Sequence, residues 1–319
     1  MKGAPEVLYA VDSLVSSPMH GQMPYDGYVL LDKTPGSTSF DALHILKRAF
    51  GTKKIGHTGT LDKFAQGLMV ILIGRATRLA QWFSEGDKTY VADFFFGTQT
   101  DTLDPEGCIV ASAPPPTKEE IEKALPLFLG PILQAPPLFS AIHIEGRRAH
   151  ELARSGVELE MKPRPVTIHS LELLFYDGER GRFRISCSKG TYIRSLARDI
   201  ALAAGSRAHV VALTRTHVFN FDISDAVDPT GQPDPSQSIR DALKPIDSKV
   251  FQALGIPCLS IEDSMADSIR NGRRIGEWIL DAIQGIESKV GLFDAEGRFI
   301  ALLEKKIGGW KYGIVYDRH

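Results

Sequence analysis

Cysteine is scarce in this chain: Cys108, Cys187 and Cys258 are the three in 319 residues. They stand far apart with no CxxC pair, which argues against a disulfide framework or a structural zinc site and fits a reducing cytoplasm. Long apolar runs are missing as well. No stretch reaches the roughly 18 apolar residues of a membrane-spanning helix, and Asp12 interrupts the short apolar stretch after Lys2, so neither an integral membrane protein nor a signal peptide is expected. Neither sign of charge dominates, with 37 Lys and Arg against 39 Asp and Glu, a net −2. Phosphate-loop and dinucleotide fingerprints (GxxxxGK[ST], GxGxxG) are absent, as are HExxH and GxSxG, so no nucleotide cofactor, metalloprotease or serine-hydrolase chemistry has motif support. The nine histidines are scattered. Asp101, Asp104 and Glu106 lack the alternate ligands and distal Glu of a calcium loop and read as a tight turn. No metal and no cofactor are expected. What is present is ordinary for a globular protein, 43% apolar and 24% charged residues, with length enough for about two domains.

Residues 1–26 are rich in Ser, Pro and Gly and read as a tail or arm. A strand over Tyr28–Leu31 ends in a Pro35–Gly36 turn. Thr38 and Asp41 then set a capping box for a helix with Leu43, Leu46, Ala49 and Phe50 on one face and Gly51 as its stop. A Gly-rich stretch, GHTGTLDKFAQG over 56–67, leads into the apolar run Leu68–Ile73. Tyr90–Phe96 is strand-like. Residues 112–137 open on the proline cluster Pro114–Pro116, Thr117 and Glu120 cap a second helix, and Pro136–Pro137 follow; residues 138–165 are polar and basic, with a helical stretch near His150–Arg154. Phe183, Ile185 and Cys187 alternate with polar residues, the pattern of a half-buried strand. A helix follows from about Tyr192 to Ala204. Pro, Asp, Ser and Gln crowd 228–240, read as a loop or linker. After Ile246, short strands over Gly291–Asp294, Arg298–Glu304 and Trp310–Val315 predict a small β-rich domain.

Charge is uneven along the chain. Residues 47–78 carry seven basic side chains against Asp62 alone, and residues 180–215 carry eight against Asp199 alone. If these segments meet, they form a positive face on a near-neutral protein, which would draw a polyanion; read singly, they are solvated faces. Asp62 stands out as the acid among bases, beside apolar Leu61 and Phe64 and between glycines that allow close approach of a ligand. A carboxylate held ionised there by an Arg could act as nucleophile or base, although a turn or helix-cap Asp has the same local pattern.

The motifs together resemble one family. GHTGTLDKFAQG is similar to the aspartate motif of the TruB family of tRNA pseudouridine synthases, approximately GHTGxLDPxAxG. LLDKTPGSTSFDAL resembles that family's DKPxGxxS segment, DKTYVADFFFGTQTDTLDPEG its tyrosine strand, QAPPLFSAIHIEGRRAHELARSG its insertion, and CSKGTYIRSLARDIA its arginine motif. The likeness runs from about Gly27 to Phe219 in order and spacing, and LFDAEGRFIALLEKKIGGWKYGIVY resembles, more loosely, the last strands of a PUA-type RNA-binding domain. Three departures stand out. Lys63 replaces the Pro after the aspartate, Thr34 the Pro after Lys33, and His143 a frequent lysine, which leaves that position mostly uncharged at neutral pH.

The resemblance implies an α/β (α+β) pseudouridine synthase fold with a mixed, mostly antiparallel sheet flanked by helices over 27–245, an insertion at 112–165 that contacts RNA, and a small PUA-like β domain over 246–319. It implies Asp62 as the catalytic aspartate, Tyr90 as the residue that stacks on the target base and Arg194 as the partner of the aspartate. Tyr192, two residues before Arg194, would share its face in strand-like geometry. His57, Lys33, Lys53, Lys54, Lys63, Arg147 and Arg148 would contact RNA. The implied substrate is the T-loop uridine at tRNA position 55 in the T arm. No cofactor, membrane or stable protein partner is implied, and a cytoplasmic monomer is expected. A guide-RNA-dependent catalytic subunit shares the aspartate motif, and a tRNA-folding helper would share the charge map; the retained insertion favours a stand-alone enzyme.

Overall fold

The fold is that of a computed structural model, which describes residues 25–140, 143–144, 147–148 and 161–316. Strands of the first half are β1 (Gly27–Lys33), β2 (Ile55–His57), β3 (Gln66–Ile73), β4 (Lys88–Phe96), β5 (Thr98–Thr100), β6 (Ile109–Ser112), β7 (Gly130–Gln134), β8 (His143–Ile144) and β9 (Arg147–Arg148). Then come β10 (Arg164–Tyr176), β11 (Arg180–Cys187), β12 (Ala208–Val218), β13 (Phe221–Asp222), β14 (Cys258–Ser260), β15 (Lys289–Phe293), β16 (Phe299–Lys306) and β17 (Gly309–Val315). The helices are α1 (Ser39–Phe50), α2 (Ala80–Ser84), α3 (Lys118–Ala124), α4 (Ile193–Ala203), α5 (Pro235–Asp241), α6 (Ser248–Ala253), α7 (Asp263–Arg270) and α8 (Glu277–Leu280). None is long and apolar enough to cross a membrane.

One sheet organises the larger part, in the order β1-β3-β12-β4-β11-β10-β7, with β2 added to β3 and β13 to β12. Its pairings are antiparallel except for β3 with β12, where Thr214 lies opposite Gln66 and Arg215 opposite Gly67. That parallel pair sets Arg215 against the end of the Gly-rich stretch. Gly67 makes the approach possible: its φ is +110°, and a Cβ there would stand 2.4 Å from the Arg215 carbonyl oxygen.

The sheet forms because its residues alternate. Tyr90, Ala92, Phe94 and Phe96 of β4 face the same side as Phe183, Ile185 and Cys187 of β11. Onto that face pack α1, through Leu43, Leu46, Ala49 and Phe50, and α4, through Ile193, Leu196, Ala197 and Ile200. Each large aliphatic side chain buried there contributes about 1.5–3 kcal/mol. The Thr38–Asp41 capping box is formed in both directions, and Gly51 closes α1 with φ 61°.

The opposite face of β1 and β3 is also covered. Tyr28, Leu30, Leu68, Val70 and Leu72 pack with Trp82 and Phe83, and with Phe251, Phe293, Phe299, Leu302 and Ile314 of the C-terminal part. The C-terminal sheet, β14-β15-β16-β17, thus turns one face to the larger sheet and the other to its own core of Val290, Leu292, Ala301 and Leu303. Trp82 Nε1 donates to the buried Glu304 carboxylate at 2.6 Å across this junction.

Two readings of the sequence change. The stretch 228–240 is no plain linker: Asp234 caps α5, Pro235 opens it, and Ile239 lies fully buried in the main core. Tyr25 and Asp26, read with the arm, are tied down, Tyr25 edge-on to Phe50 and Asp26 paired with Arg75. Residues 1–24, and the helical stretch expected near His150–Arg154, lie outside the described residues. All three cysteines are free.

Candidate active site

The Gly-rich motif leaves β2 and returns into β3, so its middle must hang as a loop. What holds that loop is a full set of backbone bonds. The carbonyls of Gly59 and Thr60 accept from the Arg215 guanidinium at 3.1 and 3.4 Å. The Leu61 carbonyl accepts from Ser39 Oγ at 3.0 Å, and the Leu61 amide donates back to that oxygen at 2.9 Å. The Asp62 carbonyl accepts from the Ala65 amide at 3.2 Å, and the Lys63 carbonyl from the Gly36 amide at 2.8 Å. Five successive carbonyls are therefore satisfied, and the Asp62 side chain is free to project from a fixed support.

It projects toward Arg194, in the first turn of α4. Nη2 of Arg194 donates to Asp62 Oδ1 at 3.0 Å, and Nε stands 2.9 Å from Oδ2 without the alignment of a hydrogen bond. The same guanidinium donates through Nη1 to Asp104 Oδ2 at 3.1 Å and to the Thr102 carbonyl at 2.9 Å, and through Nη2 to the Phe139 carbonyl at 3.0 Å. Arg194 and Asp104 are buried; Asp62 keeps about a third of its side chain, 35%, open to solvent. Burial raises the Asp62 carboxyl above the ordinary range, Arg194 pulls it down, and the Asp104 charge adds to the rise.

The cavity above this pair measures about 630 Å³, within the span of about 300–1,000 Å³ usual for small-ligand sites. Tyr90, Tyr192, Phe64 and Phe139 line it together with Leu213. Its charged lining is five cations (Lys63, Lys88, Lys189, Arg194, Arg215) against three acids (Asp62, Asp104, Glu106). Tyr90 is buried on β4, and burial pushes its hydroxyl up, with the Arg215 guanidinium opposing.

Three groups legible only as background in the sequence prove structural here. Asp104, read as a turn residue, is the second carboxylate on Arg194. Gln134 on β7 receives the Tyr192 amide at 2.8 Å and donates to the Tyr192 carbonyl at 3.2 Å, holding the start of α4. Arg215 is buried beneath the loop. Within residues 130–140, Gln134 and the Phe139 carbonyl brace the start of α4 and Arg194, while Leu133 and Leu138 are exposed.

The other expected positions divide. Tyr192 and Arg194 do face one cavity, but as helix cap and first turn of α4 rather than along a strand. Lys33 is 2% exposed, and its ammonium donates to the carbonyls of Thr34, Ser37 and Lys63. There it braces the aspartate loop through the Lys63 carbonyl, and burial lowers it to about 8. His57 is half-buried on β2, off the cavity lining, with its imidazole held below the usual value by burial and by Arg215. Lys63 sits at the cavity mouth, paired with Glu106 at 3.2 Å. Lys53 and Lys54 are exposed in the turn before β2. Arg147 and Arg148 form β9, paired with β8. The two basic segments do meet, at the β3–β12 pair and at Asp62–Arg194, but the positive face is thinner than their composition implies. Arg182 is paired with Asp93, Arg184 with Glu172, Arg198 with Asp199 and Arg75 with Asp26.

The N-terminal-domain profile of the TruB family pseudouridylate synthases matches residues 47–193. A tRNA pseudouridine synthase B of Borreliella burgdorferi (strain ZS7) is 47% identical over 204 residues, covering 63% of this chain and 72% of the relative. One of Azoarcus sp. (strain BH72) is 40% identical over 290 residues, covering 90% and 92%. Among solved structures, a chain of a Cbf5–Nop10–Gar1 complex superposes with a TM-score of 0.64 at 24% identity over 91% of this chain and 83% of its own. That likeness extends to the fold. With 40% identity over nearly the whole of both chains, on top of a shared aspartate motif, this chain belongs to the TruB family of pseudouridylate synthases.

Proposed function

We propose that this enzyme isomerises a tRNA uridine to pseudouridine, that the uridine is the T-loop residue at position 55, and that Asp62 carries the reaction. The observation that supports it most is the solvent-reachable Asp62 carboxylate, aimed by a buried Arg194 into a cavity walled by two tyrosines. The reaction breaks the N1–C1′ bond, turns the base and joins C5 to C1′. It is redox-neutral and calls for no cofactor. The nucleotide is flipped out of its loop at a cost of a few kcal/mol, and stacking on Tyr90 offsets about 1–3 kcal/mol of that. Asp62 then acts on the ribose, either by attack at C1′ or by taking a ribose proton; both need the ionised carboxylate that Arg194 favours. Relatives at 40–47% identity are named as tRNA enzymes, which supports a stand-alone enzyme working on tRNA in the cytoplasm over a guide-dependent subunit.

The test is pseudouridine mapping on an unmodified tRNA transcript incubated with the purified protein. Conversion of the T-loop uridine alone is the expected result; conversion elsewhere, or conversion that needs a guide RNA, contradicts it. The RNA-binding assignments are part of the proposal, with Lys53, Lys54 and Lys63 on phosphates of the T arm and the C-terminal β domain as a PUA-like contact. Reversing Lys53 and Lys54 to Glu should weaken tRNA binding and shallow the slope of log K against log salt, by about 0.7–0.9 for each phosphate no longer neutralised. An unchanged slope in filter binding removes both from the interface.

A further inference from the structure

Two buried cations in this cavity have no carboxylate partner among the described residues. Lys88, 8% exposed, donates to the carbonyls of Ser84 and Gly86. Arg215, 2% exposed, donates to those of Leu68, Gly59 and Thr60. Neither forms an ion pair among the described residues, unlike Arg194, which has two. Burying an unpaired charge is costly, and burying two side by side is costlier, so a compensating negative charge is to be sought in what the cavity receives.

Their placement says where that charge falls. Lys88 and Tyr90 lie two apart on β4, on one face of the strand. Arg215 is the register partner of Tyr90 on β12, and its guanidinium opposes the rise that burial imposes on the tyrosine hydroxyl. The cations therefore flank the tyrosine proposed to stack on the base, and both border the same cavity as Asp62. An RNA phosphate does not suit them, because it stays on the nucleic-acid backbone at the cavity mouth, where exposed Lys63 and Lys189 stand. A base turned into the cavity reaches them.

Uracil is neutral when bound as uridine but not between the two bond changes. When the N1–C1′ bond breaks, its electron pair stays on the ring and spreads over N1, O2 and O4. When C5 bonds to C1′, that charge is consumed, the C5 proton leaves and N1 gains one, so the isomerisation balances without oxidant or reductant. We propose that Lys88 and Arg215 form an electrostatic seat for the detached uracil, stabilising the negative charge it carries between cleavage of N1–C1′ and formation of C5–C1′. This rests on the pseudouridine reading above. Fixed positive groups aimed at a charge that appears only during the reaction favour the transition state over the bound substrate.

The test separates the two ideas. Wild-type protein must first convert uridine in a tRNA transcript; failure there sinks the reading of the reaction and not the seat. Lys88→Met should then lower the single-turnover rate constant at saturating enzyme by about 10²-fold, with tRNA Kd unchanged within about twofold. Lys88→Arg, which restores the charge, should recover most of the rate. The wild-type rate should fall as pH rises through about 8, where the buried Lys88 ammonium loses its proton. The groups around it, Arg215 on β12, Cys187 on β11, Asp87 and Lys189, act on that proton together. In Lys88→Arg the fall should move to higher pH. A Lys88→Met enzyme at full rate overturns the seat. So does weaker binding at unchanged rate, which would make Lys88 a phosphate contact. If Lys88→Met does not fold, a wild-type profile flat well past that pH overturns it equally.

Discussion

Asp62→Asn should form no measurable pseudouridine, a loss of at least about 10⁴-fold as expected for removal of a group that makes or takes a bond, while tRNA binding persists. The structure supports both halves. Asparagine keeps the shape of the side chain and an oxygen for Arg194 Nη2, and Arg194 retains Asp104, Thr102 and Phe139 as partners. The loop itself is fixed through the backbone at residues 59–63, so it does not depend on the carboxylate. Removing a negative charge from a cavity that admits a polyanion leaves affinity equal or slightly higher. Filter binding beside a tritium-release or mapping assay reads both, and a variant that turns over normally refutes the assignment of Asp62. The wild type carries a companion signature. Burial raises the Asp62 carboxyl, and the ionised form is the active one. The rate should therefore fall, as pH drops, at a higher pH than an ordinary aspartate would set.

Arg194→Lys should be nearly as damaging to turnover, by about 10²–10³-fold, and should also lower stability. The guanidinium makes a planar fork that serves two carboxylates and two carbonyls at once; an ammonium has three donors on a single point and cannot span them. The pairing with Asp104 is buried on both sides, 5% and 9% exposed, and breaking a buried pair costs about 3–5 kcal/mol. Thermal melting would register this, and a variant that melts as the wild type does would show that Asp104 and the carbonyls find other partners. The combined loss distinguishes Arg194 from Asp62, whose replacement spares the fold.

How much of this was legible in the sequence follows from the range of the interactions. The capping box of α1, the alternation of β11 and the apolar face of α4 are written in residues two to four apart, and they stand as read. The aspartate motif is local too, and Asp62, Tyr90 and Arg194 share one cavity as the resemblance implied. What escaped is held by distant partners. Asp104 and Arg194 lie 90 residues apart, and Gln134 and Tyr192 58 apart; no periodicity links them. Asp104 looked like a turn residue because it also is one, its carboxylate accepting the Glu106 amide. Lys33 came from the resemblance as a residue that meets RNA, and only the fold brings the Lys63 carbonyl, 30 residues away, to its ammonium. For α5 the signal was present: an Asp followed by Pro is a helix start, obscured by the polar composition around it.

The shared packing beneath β1 and β3 bears on how the molecule comes apart. Phe293, Phe299, Leu302 and Ile314 shield the same residues that form the underside of the larger sheet. A chain cut near residue 245 would strip part of the cover from Leu30, Leu68, Val70 and Leu72, leaving Trp82, Phe83 and Phe221 as their remaining shield. The two parts therefore share one core, and calorimetry of the full chain should show them melting in a single transition; two separate transitions would show that they unfold independently.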